Sequence, residues 1–283
     1  MDEHRSRARG LARLEFERRM ARIIPIWRSE DFRVYRFDHP VEHEDQPYEA
    51  RADAYRASFV EIGRFNLEVG ERRWRVRPGD VMLSHPGMRY RASFEGRGFN
   101  DRCISLVYVG GEAERFKGAR ASPLFKSEIL PASNRLHYLR WLLQRADAQR
   151  APMLAEYVAS EIFRDLDAPT GEIFREHKFA WYAERVHAAR ERLDAEYDRE
   201  HTVGALARAV GMSTFHFTRV FTALVGRPPH RYLTERRLAA ARSMLTQGRS
   251  VTETCFACGF NNLSHFSRSF ARRFGVSPSQ VSR

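Results

Sequence analysis

Cysteine is scarce in this chain: 283 residues hold three. An odd and small number builds no disulfide framework, so the cores must be apolar and a reducing compartment is the expectation. Long apolar runs are missing too, and none approaches the roughly 18 residues of a membrane-spanning helix. The stretch Met1 to Met20 mixes many Arg with Asp2, Glu3, Glu15 and Glu17, and it contains no apolar segment of the signal-peptide kind. Together these features predict a cytoplasmic protein with no membrane partner. The most telling absence is local. From His201 to Arg283 there is no Lys, and only Glu235 and Glu253 are acidic against twelve Arg, so this stretch carries +10 of the formal +12. A scattered excess of that size would be an ordinary solvated surface. Concentrated in one segment, it suits a surface that neutralises phosphates.

That same segment holds a repeat. In Gly211-Met-Ser-Thr-Phe-His-Phe217-Thr-Arg219-Val-Phe221 with Gly226 and Pro229, and in Gly259-Phe-Asn-Asn-Leu-Ser-His-Phe266-Ser-Arg268-Ser-Phe270 with Gly275 and Pro278, the Phe, Arg, Phe, Gly and Pro positions recur 49 residues apart. Each copy follows a short apolar-periodic segment that ends at glycine and continues into an amphipathic one. Two helices, a tight glycine turn and a second helix with one buried face make a helix-turn-helix. Thr202 is a natural N-cap for a helix with Val203, Leu206, Ala207 and Val210 at helical spacing, and Ser213 caps the next. There Phe217, Val220, Phe221 and Leu224 face inward, which turns Phe215, Arg219 and Thr222 outward. In the second copy Phe266, Phe270 and Phe274 form the inward stripe, and Ser264, Arg268 and Arg272 point away. A longer helix from Pro228-Pro229 to Gly248, with Leu238, Ala241 and Leu245 as its seam, joins the copies. Before them lies a helix with Tyr182, Val186, Ala189, Leu193 and Tyr197 as its stripe. Cys255-Phe-Ala-Cys258 has the CxxC spacing, but it stands alone in an apolar helical setting and reads as core packing.

The first part of the chain has a different texture. From Ile23 to Val109, short alternating runs such as Phe65 to Val69, Trp74 to Arg77, Met88 to Phe94 and Ile104 to Tyr108 are broken by Gly and Pro, which predicts an antiparallel barrel or sandwich. Pro78-Gly79-Asp80-Val81 followed by His85-Pro86-Gly87 resembles the strand-turn-strand region of cupin-like barrels. Metal-binding cupins carry a His-x-His, a downstream Glu and a further His, and that set is missing: Tyr90 stands where the last His would fall. His39, Glu42, His43 and Glu44 form a dense group of ligand types but lie in a polar loop, so neither a metal nor a cofactor is expected. Between Gly110 and Thr170 the pattern turns helical, with His137, Leu139, Trp141, Leu142 and Leu143 in one segment and Met153, Leu154, Tyr157, Val158 and Ile162 in the next. Such stripes either cap a barrel or pair with a second subunit, and a homodimer is the favoured expectation.

From about Trp181 to Arg283 the residues closely resemble the DNA-binding domain of AraC/XylS-type bacterial transcription regulators. The most specific stretch is Cys258-Gly-Phe-Asn-Asn-Leu-Ser-His-Phe266-Ser-Arg268-Ser-Phe270 with Phe274-Gly275-Val-Ser-Pro278. The barrel-like region is similar, with weaker motifs, to the effector-binding half of such regulators. One departure is Thr254-Cys255, where the family has an Ile-Ala pair, which implies looser packing there. The resemblance implies an α+β multidomain chain: an extension (1–22), a cupin-like antiparallel β-barrel effector domain (23–110), a helical dimerisation or linker region (111–175), and an all-α domain of two helix-turn-helix units joined by a long helix (176–283). It further implies contacts to double-stranded DNA at Phe215, Thr218 and Arg219 in the first copy and Ser264, Ser267 and Arg268 in the second. A small-molecule effector in the barrel and RNA polymerase are the other implied partners, and no catalytic residue is expected. Two alternatives stay open: a cupin-type metal-dependent enzyme fused to a DNA-binding module, and a constitutive DNA-binding dimer without a ligand.

Overall fold

The computed structural model describes residues 22–39, 48–94, 101–114, 116, 127–149, 151–163 and 172–281. The chain divides into two compact units between Gly171 and Glu172. Among the described residues of the first are strands β1 (Arg22–Arg28), β2 (Phe32–His39), β3 (Tyr48–Arg51), β4 (Tyr55–Ile62), β5 (Phe65–Val69), β6 (Arg72–Val76), β7 (Val81–Ser84), β8 (Arg89–Phe94), β9 (Asp101–Tyr108) and β10 (Ile129–Leu130). They form two antiparallel sheets, one in the order β1-β2-β9-β4-β7-β10 and one in the order β3-β8-β5-β6.

Local chemistry sets the corners. Val69 pairs with Arg72 across the two-residue turn at Gly70-Glu71, where Gly70 takes φ 58°, a conformation glycine adopts without penalty. At the Pro78-Gly79-Asp80 turn the Asp80 carboxylate accepts the Arg77 N–H and the Ala132 N–H, each at 2.9 Å, tying the turn to the segment after β10. Between the sheets Val60, Leu67, Val76 and Ile129 pack together, with Phe65, Val69, Trp74, Met82 and Tyr90 against them. Tyr90 thus occupies an apolar cluster. Among the described residues no group of three His, Cys, Asp or Glu is placed to hold a metal. Glu42, His43, Glu44 and the side chain of His39 lie outside the described residues, as does the Arg-rich extension up to Ala21.

The other face of the larger sheet carries Ala57, Phe59, Ile104 and Leu106, all at 1% exposure or less. Helices α1 (Gly110–Glu114), α2 (Asn134–Gln149) and α3 (Pro152–Glu161) follow in the chain. The Tyr108 hydroxyl donates to the Ala159 carbonyl at 2.9 Å, and its ring meets Phe116 and Phe163 at 5.0 and 5.6 Å. Arg140 donates to the Val60 carbonyl, and Gln144 bonds Glu61. Leu139, Leu142, Leu143, Val158 and Ile162 are buried within this unit, while Met153 is 79% exposed.

The second unit is helical: α4 (Glu176–Ala195), α5 (Val203–Ala209), α6 (Thr214–Val225), α7 (Pro229–Thr246), α8 (Val251–Ala257), α9 (Leu263–Phe274) and α10 (Pro278–Val281). Its buried residues fall into two groups that α7 spans. Tyr232 of α7 packs edge-on against Phe221 of α6 at 5.9 Å. Farther along α7, Leu238, Ala241 and Leu245 join Cys255, Cys258, Phe260, Phe266 and Phe270 in one core. The expected stripe of α4 is wider than its apolar residues, since His187 and Arg190 are buried as well.

The two helix-turn-helix glycines share a conformation but not a setting. Gly211 has φ 68° with open space where a Cβ would stand, whereas at Gly259, φ 76°, a Cβ would run into the Asp198 carbonyl. Gly211→Ala is therefore expected to cost roughly 1–2 kcal/mol for the left-handed backbone, and Gly259→Ala about 1–3 kcal/mol beyond that for the clash. Thermal unfolding of the two variants checks the order.

Candidate nucleic-acid interface

The repeat seen in sequence is a repeat of hydrogen bonds. Thr202 Oγ1 accepts the Ala205 N–H at the start of α5, and Ser250 Oγ accepts the Glu253 N–H at the start of α8. Each short helix closes the same way: the Met212 N–H reaches the Ala207 carbonyl at 2.9 Å, and the Phe260 N–H reaches the Cys255 carbonyl at 3.1 Å. Such a bond across a left-handed glycine is the Schellman closure that satisfies the last carbonyls of a helix. Ser213 Oγ then accepts from His216 at 3.3 Å, and Asn262 Oδ1 accepts from His265 at 2.8 Å, starting α6 and α9. Both end on left-handed glycines, Gly226 and Gly275, whose N–H groups return four residues to Thr222 and Ala271.

These caps fix which side chains face out. On α6 Phe217, Val220, Phe221, Leu224 and Val225 are buried, while Phe215 and Arg219 are exposed and Thr218 is half-buried. On α9 Phe266 and Phe270 are buried and Phe274 is partly buried against them at 4.6 Å, while Ser264 and Arg268 are exposed and Ser267 is half-buried. Arg268 Nε lies along its own helix, donating to the Ser264 carbonyl at 3.3 Å. All six residues singled out from sequence thus lie on the outward sides of the two second helices.

The basic composition resolves into two classes. Arg227, 3% exposed, pairs with Glu235 at 3.2 Å. Arg236 pairs with Asp194 at 3.5 Å, and the Tyr232 hydroxyl donates to the same carboxylate. Burial raises the Asp194 carboxyl even though Arg190 and the Tyr232 bond work the other way. Arg237 donates to the Tyr197 and Arg199 carbonyls at 2.7 and 2.8 Å, closing the loop after α4. These three arginines hold the unit together. Arg208, Arg219, Arg231, Arg242, Arg249, Arg268, Arg272 and Arg273 are exposed, and they supply the field for a polyanion.

Comparison with known proteins gives this interface its family. Residues 206–283 match the model of the helix-turn-helix domain, and residues 44–163 match that of the AraC-like ligand binding domain. This chain belongs to the AraC family of transcription regulators. Among its relatives, the HTH-type transcriptional regulator YbfI of Bacillus subtilis is 25% identical over 75% of this chain and 78% of its own length. A regulator of Mycobacterium tuberculosis is 43% identical over 28% of this chain and 31% of its own. A solved structure of a probable AraC family regulator from Rhodopseudomonas palustris is 29% identical, covering 35% of this chain and 94% of that one at a TM-score of 0.34. The chain is accordingly a DNA-binding transcription regulator of the AraC family with a ligand-binding type of N-terminal domain. No helix among the described residues is long and apolar enough to cross a membrane.

The CxxC pair sits in the second AraC-type motif as core. Cys255 and Cys258 are both fully buried, burial pushes the Cys258 thiol up to about 11, and its Sγ contacts Met244 Sδ at 3.7 Å. The Thr254-Cys255 departure does not open the packing, since both residues are at 0% exposure. Its consequence is polar: among the described residues Thr254 Oγ1 is buried without a hydrogen-bond partner. A buried unpaired hydroxyl costs about 1–3 kcal/mol. Thr254→Val, of nearly the same shape, is expected to raise stability by about 1 kcal/mol in urea titration.

Proposed function

We propose that this regulator reads DNA with Phe215, Thr218 and Arg219 of α6 and Ser264, Ser267 and Arg268 of α9, under control of a small molecule held between the sheets of its first unit. It acts in the cytoplasm as a homodimer and catalyses no reaction. Its working parts are the barrel over 23–110, the helices over 111–175 and the DNA-binding domain over 176–283. The observation that carries the DNA reading is the duplicated capping of α6 and α9, which holds two outward faces on one rigid frame. Guanidinium groups at Arg219 and Arg268 can give two parallel hydrogen bonds to a guanine edge. For the barrel the support is its match to a ligand-binding family and its two-sheet architecture.

Loss of either arginine should separate base reading from charge. Arg219→Ala and Arg268→Ala are each expected to weaken binding to the specific site by about 1–3 kcal/mol and to relax sequence preference at different positions, whereas a phosphate contact would weaken all sequences alike. Wild-type affinity in both variants would remove the assignment.

The frame also fixes spacing. Because α7 is one uninterrupted helix of 18 residues, the two faces should meet major-groove segments about 34 Å or 10 bp apart on one side of the duplex. Inserting five base pairs between the segments turns one to the far side, and affinity should fall near the nonspecific level. Inserting ten restores the side but not the distance, so binding should stay weak. Full affinity with the five-base-pair insert, in titrations of the whole chain, would mean that only one motif engages.

A further inference from the structure

The helices α6 and α9 stand at equivalent places in two copies of one motif, yet they offer different chemistry. At a spacing of 49 residues Phe215 stands opposite Ser264, Thr218 opposite Ser267, Thr222 opposite Ala271 and Ala223 opposite Arg272, while Arg219 and Arg268 agree. Phe215 is 81% exposed, on the second residue of its helix. The hydroxyls beside it are already engaged. Thr218 Oγ1 donates to the Thr214 carbonyl at 2.8 Å, and Thr222 Oγ1 donates to the Thr218 carbonyl at 2.7 Å. A threonine whose hydroxyl bonds back onto its own helix presents its γ-methyl as the remaining group. At 3.6 residues per turn Phe215, Thr218, Arg219 and Thr222 fall within roughly a third of the helix circumference. The outward stripe of α6 is therefore a ring and two methyl groups with one cation at its side. The matching stripe of α9 has Ser264 and Ser267, whose side chains carry no methyl, then Ala271 and the exposed Arg268, and a second exposed cation, Arg272, lies beside it.

Base edges in the major groove are polar apart from one group, the C5 methyl of thymine. The ring and methyls of such a stripe find apolar contact only where thymines stand, and the threonine oxygens, their protons already given to backbone carbonyls, can accept from a base but have none to donate. We propose that α6 is a reader of thymine methyl groups, through Phe215, Thr218 and Thr222, and that α9 reads its own segment through hydroxyl and guanidinium hydrogen bonds that do not depend on methyls. This rests on the placement of both faces in DNA grooves proposed above. The target is then chemically asymmetric: its first segment is rich in thymine, and its second is defined by hydrogen-bonding edges.

Deoxyuridine, which lacks only the methyl, is the probe. A specific duplex is obtained by selection from a random library with the full chain, and the segment facing α6 is the one whose preference relaxes in Arg219→Ala. That duplex is then made with deoxyuridine for thymidine in the first segment, in the second, or in both. Replacement in the first segment should weaken binding about fourfold for each contacted methyl, the equivalent of about 0.8 kcal/mol. Replacement in the second should leave affinity within about twofold. Phe215→Ala should bind the thymidine duplex more weakly and lose most of its discrimination against the first-segment deoxyuridine duplex, while Phe215→Leu keeps part of it. Equal losses in both segments, or no loss in the first while Phe215→Ala and Arg219→Ala still weaken binding, would overturn the methyl reading and leave the groove placement standing. Wild-type binding by both variants on every duplex would overturn the placement as well.

Discussion

The second unit depends on one helix serving two cores. Near the start of α7 the buried Tyr232 packs on Phe221 of the first motif, while Leu238, Ala241 and Leu245 are buried with the second. Each motif alone is two short helices, and a helix of seven residues such as α5 or α8 is too short to be stable by its own propensity. Burial against α7 supplies what propensity does not. The same sharing gives stiffness, because no hinge residue separates the turn of α7 that packs on α6 from the turns that pack on α9. The polar pins at its flank, Tyr232 and Arg236 on Asp194 and Arg237 on the carbonyls after α4, add α4 to the same frame. With several partners on one carboxylate, breaking one contact leaves buried polar groups unpaired, which costs more than the net value of the bond.

How much of this could be read beforehand depends on the range of the interaction. The helix-turn-helix units were legible because their signals are local: Thr202, Ser213 and the left-handed glycines determine backbone geometry within a few residues. Strands β5, β6 and β8 were legible because their sheet leaves one face to solvent, so alternation survives, as in the exposed Arg73 and Arg75 of β6 on either side of the half-buried Trp74. β4 is different. It lies inside the larger sheet with apolar residues on both sides, Val60 toward the other sheet and Ala57 and Phe59 away from it, so alternation vanishes. Nor could composition reveal which arginines are structural. Arg227, Arg236 and Arg237 look like any others in the basic block, and only long-range contacts to Glu235, Asp194 and the loop after α4 set them apart. The buried His187 and Arg190 of α4 escape notice for the same reason.

The outward faces were legible in position but less so in chemistry. Helical periodicity alone turns Phe215, Arg219, Ser264 and Arg268 outward, and all four are exposed, while Thr218 and Ser267, added by the family resemblance, are half-buried. What periodicity cannot say is that the threonine hydroxyls on α6 are taken by carbonyls four residues back. In sequence these residues are polar. In the fold they are methyl-bearing surface.

A duplicated motif on a shared core divides its residues into two sets under different constraints. Caps, left-handed glycines and the inward Phe positions must serve the same geometry in both copies, so they recur: Phe217 with Phe266, Phe221 with Phe270, Gly226 with Gly275. Outward positions carry no such duty, since changing Phe215 to the equivalent Ser leaves every cap and core contact in place. The two faces are therefore free to differ without cost to the fold, and here they do, with a ring, methyls and one guanidinium on the first and serines and two guanidinium groups on the second. Direct repetition in a single chain then does what a symmetric pair of identical motifs cannot. On the reading proposed above, it sets two different surfaces at a fixed distance, so that one subunit would distinguish the two ends of its target and with them its direction along the DNA.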